Sequence, residues 1–211
     1  AVTIDWRPQT TVWALSDGWR LAIKGPQGST WLDARAVIVA SGARELVLPI
    51  PGWTLPGVMT AGAALALAKT QRLAAGQRVL VAGSGPLLLP CATALAELGV
   101  QVVAVLEASQ PYHWLRHVPA LWGNWDRLGE GWHYWRTLRR AGIPYCFGHT
   151  LAAIEGEGQV ERARVVRLDG LGHPRLSGQL EIRVDAVCLS FGFRPNVELT
   201  QLAGCEHVFG A

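Results

Sequence analysis

Between Thr10 and Val39 the chain alternates apolar and polar residues in short runs, TTVWAL, WRLAIK, STWLDA and AVIVAS, separated by the turn signals SDG and GPQG. Runs of this length, rich in β-branched and aromatic residues and bounded by Gly, Pro and Asp, predict strands. The stretch therefore reads as a β-meander feeding one apolar, buried strand within ARAVIVASGAR. That strand is expected to end at Ser41-Gly42. The crossover LPIPGWTLPG follows, and its prolines at 49, 51 and 56 favour an extended linker and a domain boundary.

The period then changes. TAGAALALAKTQR, residues 60–72, carries small and apolar residues at helical spacing behind Thr60, a residue type that caps helices. Val79 to Glu107, VLVAGSGPLLLPCATALAELGVQVVAVLE, predicts a strand, a glycine turn, a helix stopped at Gly99, and a second strand with an acid at its end. Five of the ten tryptophans fall between Pro111 and Tyr145, at 114, 122, 125, 132 and 135. Trp132, Trp135 and Leu138 recur every three residues, with Arg136, Arg139 and Arg140 elsewhere around the helix and Gly142 as a stop. This stripe reads as the core face of a helix whose tryptophans pack on the sheet; the competing reading is an aromatic platform for a ligand or partner. PYCFGHTLAAIEG, VERARVVRLDG and LEIRVDAVCLSFGFRPN then predict a strand, a second meander and a buried strand AVCLSFG. A meander leading to an apolar strand and a glycine turn thus occurs twice, around one βαβ unit.

Composition narrows the classes. With 211 residues and 50% hydrophobic content the chain folds, into one sizeable core or two small domains. Its 19 basic and 16 acidic residues leave +3 with no run of like charge, so no basic stripe for nucleic acid is encoded. Cys91, Cys146, Cys188 and Cys205 form no CxxC pair and no zinc spacing, and read as buried free thiols of a cytoplasmic protein. Glycines, a glutamate and prolines interrupt the most apolar runs, so no transmembrane span is expected, and AVTIDWRPQT, with no basic region before an apolar stretch, is not expected to act as a signal peptide. The chain opens without methionine and closes on CEHVFGA in mid-phrase, which reads as a fragment.

The glycine turn carries the chemistry. In a dinucleotide fold the first glycine, here Gly83, permits the tight turn, and the second, Gly85, lets backbone approach the pyrophosphate. Leu88 replaces the third, which serves helix-to-strand packing, and is expected to push the helix off the strand or tilt it. The phosphate-facing pair survives, at the N-terminus of a helix whose free N–H groups favour an anion. Pro86 falls near the first helical position, where its missing N–H costs nothing. Pro90, about five residues in, is expected to remove one ladder hydrogen bond and kink the helix, at up to about 3 kcal/mol. Glu107, 22 residues beyond Gly85, stands where an acid accepts hydrogen bonds from ribose hydroxyls and repels a 2′-phosphate, favouring NAD or an adenosine nucleotide. A purely structural βαβ unit is the other reading. His113, His117 and His133 lack metal-ligand spacing and read as surface or packing residues, so no metal site is expected. No GxSxG elbow or Walker loop occurs, and no catalytic residue is identified.

Taken together, ARAVIVASGARELVLPIPGWTLPGVMTAGAALAL, VLVAGSGPLLLPCATALAELG and VDAVCLSFGFRPNVELTQLAGCEH resemble the pyridine nucleotide-disulfide oxidoreductase superfamily. Within it they are most similar to the flavoprotein α subunits of hydrogen cyanide synthase, opine oxidase and dye-linked proline dehydrogenase, through LPGVMTAGAA and AGSGPLLL. The resemblance spans Thr11 to His207. It implies an α/β fold in which a Rossmann-like nucleotide-binding domain is nested in part of an FAD-type domain, with β-meanders. Residues 1–52 would be partial FAD-type domain, 53–190 the NAD or nucleotide domain, and 191–211 the return to the FAD-type domain.

The resemblance places Ser41, Gly42, Ala43 and Arg44 near the flavin, and makes Gly192 to Asn196 the hinge back. It makes Gly83, Ser84, Gly85, Pro86, Leu87 and Glu107 a second nucleotide site for NAD or an adenine nucleotide. The family's first GxGxxG and its later Gly-Asp segment are absent from these residues, as is a CxxC. The resemblance therefore implies FAD in a longer parent oxidoreductase, whose partner is a second oxidoreductase subunit, with this chain alone inactive. The alternative is an adenine-nucleotide-binding or assembly module without chemistry of its own.

Overall fold

The computed structural model describes residues 3–112 and 125–208. Two units emerge, Ala1–Arg44 with Arg194–Ala211, and Glu45–Phe193. In the first, the predicted meander forms: β1 (Thr11–Ser16), β2 (Arg20–Gly25) and β3 (Gly28–Asp33) pair antiparallel in that order. Gly18, in the left-handed region at φ 75°, makes the first turn. Among the described residues of this unit only Ala22 and Ile23 are buried apolar side chains, while Trp13 and Trp31 meet at 6.3 Å on an exposed face.

The buried strand expected at AVIVAS does not form. Residues 36–42 carry no regular structure, and Ile38 is 94% exposed. A strand needs neighbours to take its backbone N–H and C=O groups, and among the described residues none runs beside this segment. Short β4 (Ala43–Glu45) pairs instead with β13 (Phe193–Pro195), and a short helix, Glu198–Leu202, follows.

The second unit is built on a five-stranded parallel sheet, order β5-β12-β6-β7-β8, from Val58–Thr60, Ala186–Ser190, Arg78–Gly83, Gln101–Glu107 and Tyr145–Phe147. Helix α1 (Ala61–Ala66) starts behind Thr60, whose Oγ1 accepts the Ala63 N–H at 3.1 Å as expected of a cap, and continues into a wide π-turn over Leu67–Gln71. Helices α2 (Leu88–Glu97) and α3 (Trp125–Arg140) complete one face. Under them Val79, Val81, Val105, Cys188, Leu88, Leu95 and Leu138 form one apolar cluster. The opposite face, Leu80, Ala82, Leu106, Val187 and Leu189, packs on the second meander through Leu151, Ile154, Ala163 and Val165. That meander is β9 (His149–Glu155), β10 (Arg162–Leu168) and β11 (Pro174–Arg183). With both faces covered, central strands such as AVCLS are buried at every residue, which explains why they read as unbroken apolar runs.

The crossover LPIPGWTLPG is docked rather than free. Ile154 donates its N–H to the Pro51 carbonyl at 2.8 Å and Val160 to that of Pro56 at 2.9 Å. Gly52, at φ 85°, lies so close to the Ile154 carbonyl that a Cβ has no room. The crossover thereby packs within the unit Glu45–Phe193.

Candidate functional site

Strand β6 lies between β7 and β12, which follow it on opposite sides, so its carboxyl end opens at a topological switch point. Ligands of parallel α/β sheets bind in such crevices. The residue there is Gly83. A Cβ on it would run into the backbone of Ser190 on β12, and Ser84 donates its N–H to the Ser190 carbonyl at 2.7 Å. Gly83 thus permits close strand-to-strand approach as well as the turn. Gly85 differs: at φ +112° it has nothing within 4 Å of where a Cβ would sit, so the space over the turn is open.

Helix α2 begins at Leu88 with Leu87 as cap residue, so Pro86 sits one position before the cap. The same start places Pro90 third in the helix. A first-turn residue has no intrahelical acceptor for its N–H, so the lost ladder bond and the kink expected from Pro90 do not follow. Leu88 is fully buried against the sheet with Val79, Val81 and Leu95: the third fingerprint position serves apolar packing. With Ser84 committed to Ser190, Leu88 donating its N–H to the Gly85 carbonyl at 3.4 Å, and prolines at 86 and 90, the N–H groups left for a ligand at the start of the helix are those of Leu87 and Leu89.

Glu107, at the end of β7, is completely buried. Its Oε2 accepts the Gly85 N–H at 3.2 Å and the Tyr145 hydroxyl at 3.1 Å, and its Oε1 accepts the Ser109 N–H at 3.0 Å. The acid and the glycine turn are therefore brought together, with the carboxylate bonded inward. Tyr145, placed by the sequence only in a strand, completes the group. Pairing of Val105 with Tyr145 and Glu107 with Phe147 puts Tyr145 and Glu107 on one face of adjacent strands. Burial first, then the charge of Glu107 and their hydrogen bond, raises the Tyr145 phenol well above its usual range, so it stays a donor. The detectable signal was the order of strands: a strand following this βαβ unit lies beside the acid.

Gly42 and Ser41 are closed on Asn196. The Ser41 hydroxyl donates to the Asn196 carbonyl at 2.9 Å, the Asn196 side-chain amide donates to the Ser41 carbonyl at 2.9 Å, and its N–H donates to that of Gly42 at 3.0 Å. Ala43 begins β4, and Arg44 pairs with Glu198 at 2.9 Å, both exposed. Gly192, at φ 98°, accepts the Leu46 N–H through its carbonyl.

On α3, Leu138 is buried and Trp135 stacks edge-on against Tyr145 at 6.1 Å, but Trp132 is 66% exposed. The core-face reading therefore fails at Trp132, because three-residue spacing drifts around a helix that turns every 3.6 residues. Trp132, Trp135, Arg136, Arg139 and Arg140 instead line a shallow hollow of about 270 Å³. His133 is exposed beside Tyr134, while His113, His117, Trp114 and Trp122 lie outside the described residues. Cys91 and Cys188, distant in sequence, meet in the core, where their hydrogen bond and then burial raise the Cys188 thiol. Among the described residues no cluster of His, Cys, Asp and Glu is arranged to hold a metal, and no helix is long and apolar enough to cross a membrane.

A family model for pyridine nucleotide-disulphide oxidoreductases matches residues 1–208. The chain belongs to that family. An opine oxidase subunit of Rhizobium meliloti is 34% identical over 215 residues, covering 97% of this chain and 39% of that subunit. Hydrogen cyanide synthase subunit HcnB of Pseudomonas aeruginosa is 32% identical over 173 residues, covering 82% of this chain and 37% of that subunit. This family member thus spans about two-fifths of the curated relatives it matches. An FAD-dependent pyridine nucleotide-disulphide oxidoreductase from Desulfovibrio vulgaris shares the fold, with a TM-score of 0.61 at 19% identity over 93% of this chain and 46% of that one.

The family implies FAD and a nicotinamide nucleotide. The residues tied to the flavin do not form a cradle: residues 41–44 are mostly exposed, and the Ser41 hydroxyl and Arg44 guanidinium are committed to Asn196 and Glu198. The glycine turn does fit a nucleotide, through the open space above Gly85 and the start of α2.

Proposed function

We propose that this chain forms the second nucleotide-binding region, with part of the FAD-type domain, of an FAD-dependent oxidoreductase subunit of the amino-acid or opine dehydrogenase α-subunit type. The observation that carries the reading is the Gly83–Gly85 turn at the switch point, open above Gly85 and tied by a backbone N–H to a buried acid at the end of the next strand. Residues Gly83, Ser84, Gly85, Pro86 and Leu87 would border the pyrophosphate, the N-terminus of α2 would face it, and Glu107 would orient the adenosine ribose and disfavour a 2′-phosphate. FAD would supply the electron transfer of the whole subunit, and Ser41, Gly42, Ala43, Arg44 and Gly192 would lie in the segments that join its domain rather than in its cradle. A first unit burying only Ala22 and Ile23 among its described apolar residues supports its reading as a partial domain.

Titration calorimetry with NADH, NADP, ADP and ATP tests the site. NADH or ADP should bind with a dissociation constant below about 1 mM, an association energy beyond about 4 kcal/mol, and more tightly than NADP. No binding in that range for any of them refutes the nucleotide reading. A second reading, an assembly module without its own chemistry, draws on Trp132, exposed beside Arg136, Arg139 and Arg140. Aromatic and arginine side chains concentrate in interfaces. The relatives are named as subunits, and a second oxidoreductase subunit is the partner this reading requires. Under it, Trp132→Ala should abolish co-purification with that partner but leave nucleotide binding intact.

A further inference from the structure

We propose that Tyr145 is a specificity-determining gate at the nucleotide site, its hydroxyl standing on Glu107 where an adenosine ribose hydroxyl would otherwise bind. The inference rests on the nucleotide reading above. A carboxylate has about four acceptor positions, and those of Glu107 already take the Gly85 N–H, the Ser109 N–H and the Tyr145 hydroxyl. One position is left and the group is completely buried, so a ribose diol, which brings two donors, is accommodated only if a present donor leaves.

Two of the three donors are backbone groups fixed by the turn after β6 and the end of β7. The phenol is the third, and a side-chain donor swings away by rotation about its own bonds. Its position is nonetheless built. The ring is held between Trp135 at 6.1 Å and Phe147 at 4.9 Å, and β8 carries it in register beside Val105. The arrangement satisfies a buried carboxylate in the absence of ligand, and among the described residues no cation pairs with it. Because the phenol stays protonated, the gate does not open with pH in the range where the protein is handled. A ribose diol must displace the phenol, whereas a nucleotide lacking one of the hydroxyls has less to gain by doing so.

The test measures binding of ADP and 2′-deoxy-ADP to the full chain and to Tyr145→Phe. Phenylalanine keeps the ring stacked on Trp135 and Phe147 and removes only the hydroxyl. Wild type should distinguish the two nucleotides by less than about twofold. Tyr145→Phe should bind ADP about five- to tenfold more tightly, as expected for a hydrogen bond to a charged group freed of its competitor, with little change for 2′-deoxy-ADP. Binding by the variant alone also supports the gate. An equal gain for both nucleotides, or no gain, overturns it and leaves the nucleotide site standing. The wild-type ratio is decisive even if the variant does not fold: a preference for ADP above about tenfold means that Glu107 already reaches the ribose past Tyr145. Absence of binding to wild type without rescue by Tyr145→Phe removes both the gate and the site.

Discussion

Replacing Gly83 and Gly85 separately with alanine isolates the two demands on the glycine turn. At Gly83 the added methyl meets the Ser190 backbone. That backbone cannot yield, because β12 is paired with β6 from Ala186↔Val79 to Ser190↔Gly83 and with β5 on its other edge. Overpacking of about 1–3 kcal/mol adds to about 1–3 kcal/mol of backbone strain at positive φ, for about 2–6 kcal/mol in all. At Gly85 nothing lies within 4 Å, so only the strain remains, about 1–3 kcal/mol. Urea unfolding followed by tryptophan fluorescence reads the difference. With slopes of about 1–3 kcal/mol per molar urea, Gly85→Ala should lower the midpoint by about 1 M, and Gly83→Ala by about 2 M or to the point where no folded protein is recovered. Gly85→Ala should fold yet lose nucleotide affinity by about tenfold or more, since its methyl projects into the space left open above the turn. A Gly83→Ala protein as stable as Gly85→Ala, or within about 1 kcal/mol of wild type, would refute the assignment of Gly83 to close strand packing.

Leu88→Gly, which restores the full glycine fingerprint, should destabilise by about 3–6 kcal/mol, the sum of a buried leucine lost and a glycine placed in a helix; denaturation showing a neutral or stabilised variant would contradict the packing role. Pro90→Ala should change stability by less than about 1 kcal/mol, because a first-turn residue has no ladder bond to restore; a gain near 3 kcal/mol would show that the proline does break the helix. Glu155 lies below its usual value of 4.5, held there first by the Arg162 hydrogen bond at 2.9 Å and also by Arg164. A carboxylate with a depressed folded pKa adds stability that is fully present above its unfolded value and is lost as pH falls through the folded one. Glu155→Gln should therefore shrink the loss of stability below pH 4.5 seen in acid titrations by circular dichroism, with no change in the shape of the curve above it.

What the chain determined by itself is the local grammar. Period-two runs between Gly, Pro and Asp turns specified both meanders, Thr60 marked a helix start, and the order strand, Gly83–Gly85 turn, helix, strand, Glu107 placed the fingerprint. Those features depend on residues within a turn or two of each other, where turn chemistry and side-chain period act directly. Tertiary structure decided what depends on a distant partner. AVIVAS has a buried strand's composition but no strand beside it, and composition does not supply hydrogen-bonding neighbours. Pro90 became harmless through a shift in the helix start that the sequence pattern did not resolve. Trp132 and Leu138 share a spacing but face solvent and core respectively, because the position of the sheet selects the buried side of the helix. The partners of Glu107 were the least legible feature of the site. The Tyr145 hydroxyl comes from 38 residues away, and only the parallel pairing of β7 with β8 carries it to the carboxylate, where a buried charge requires donors.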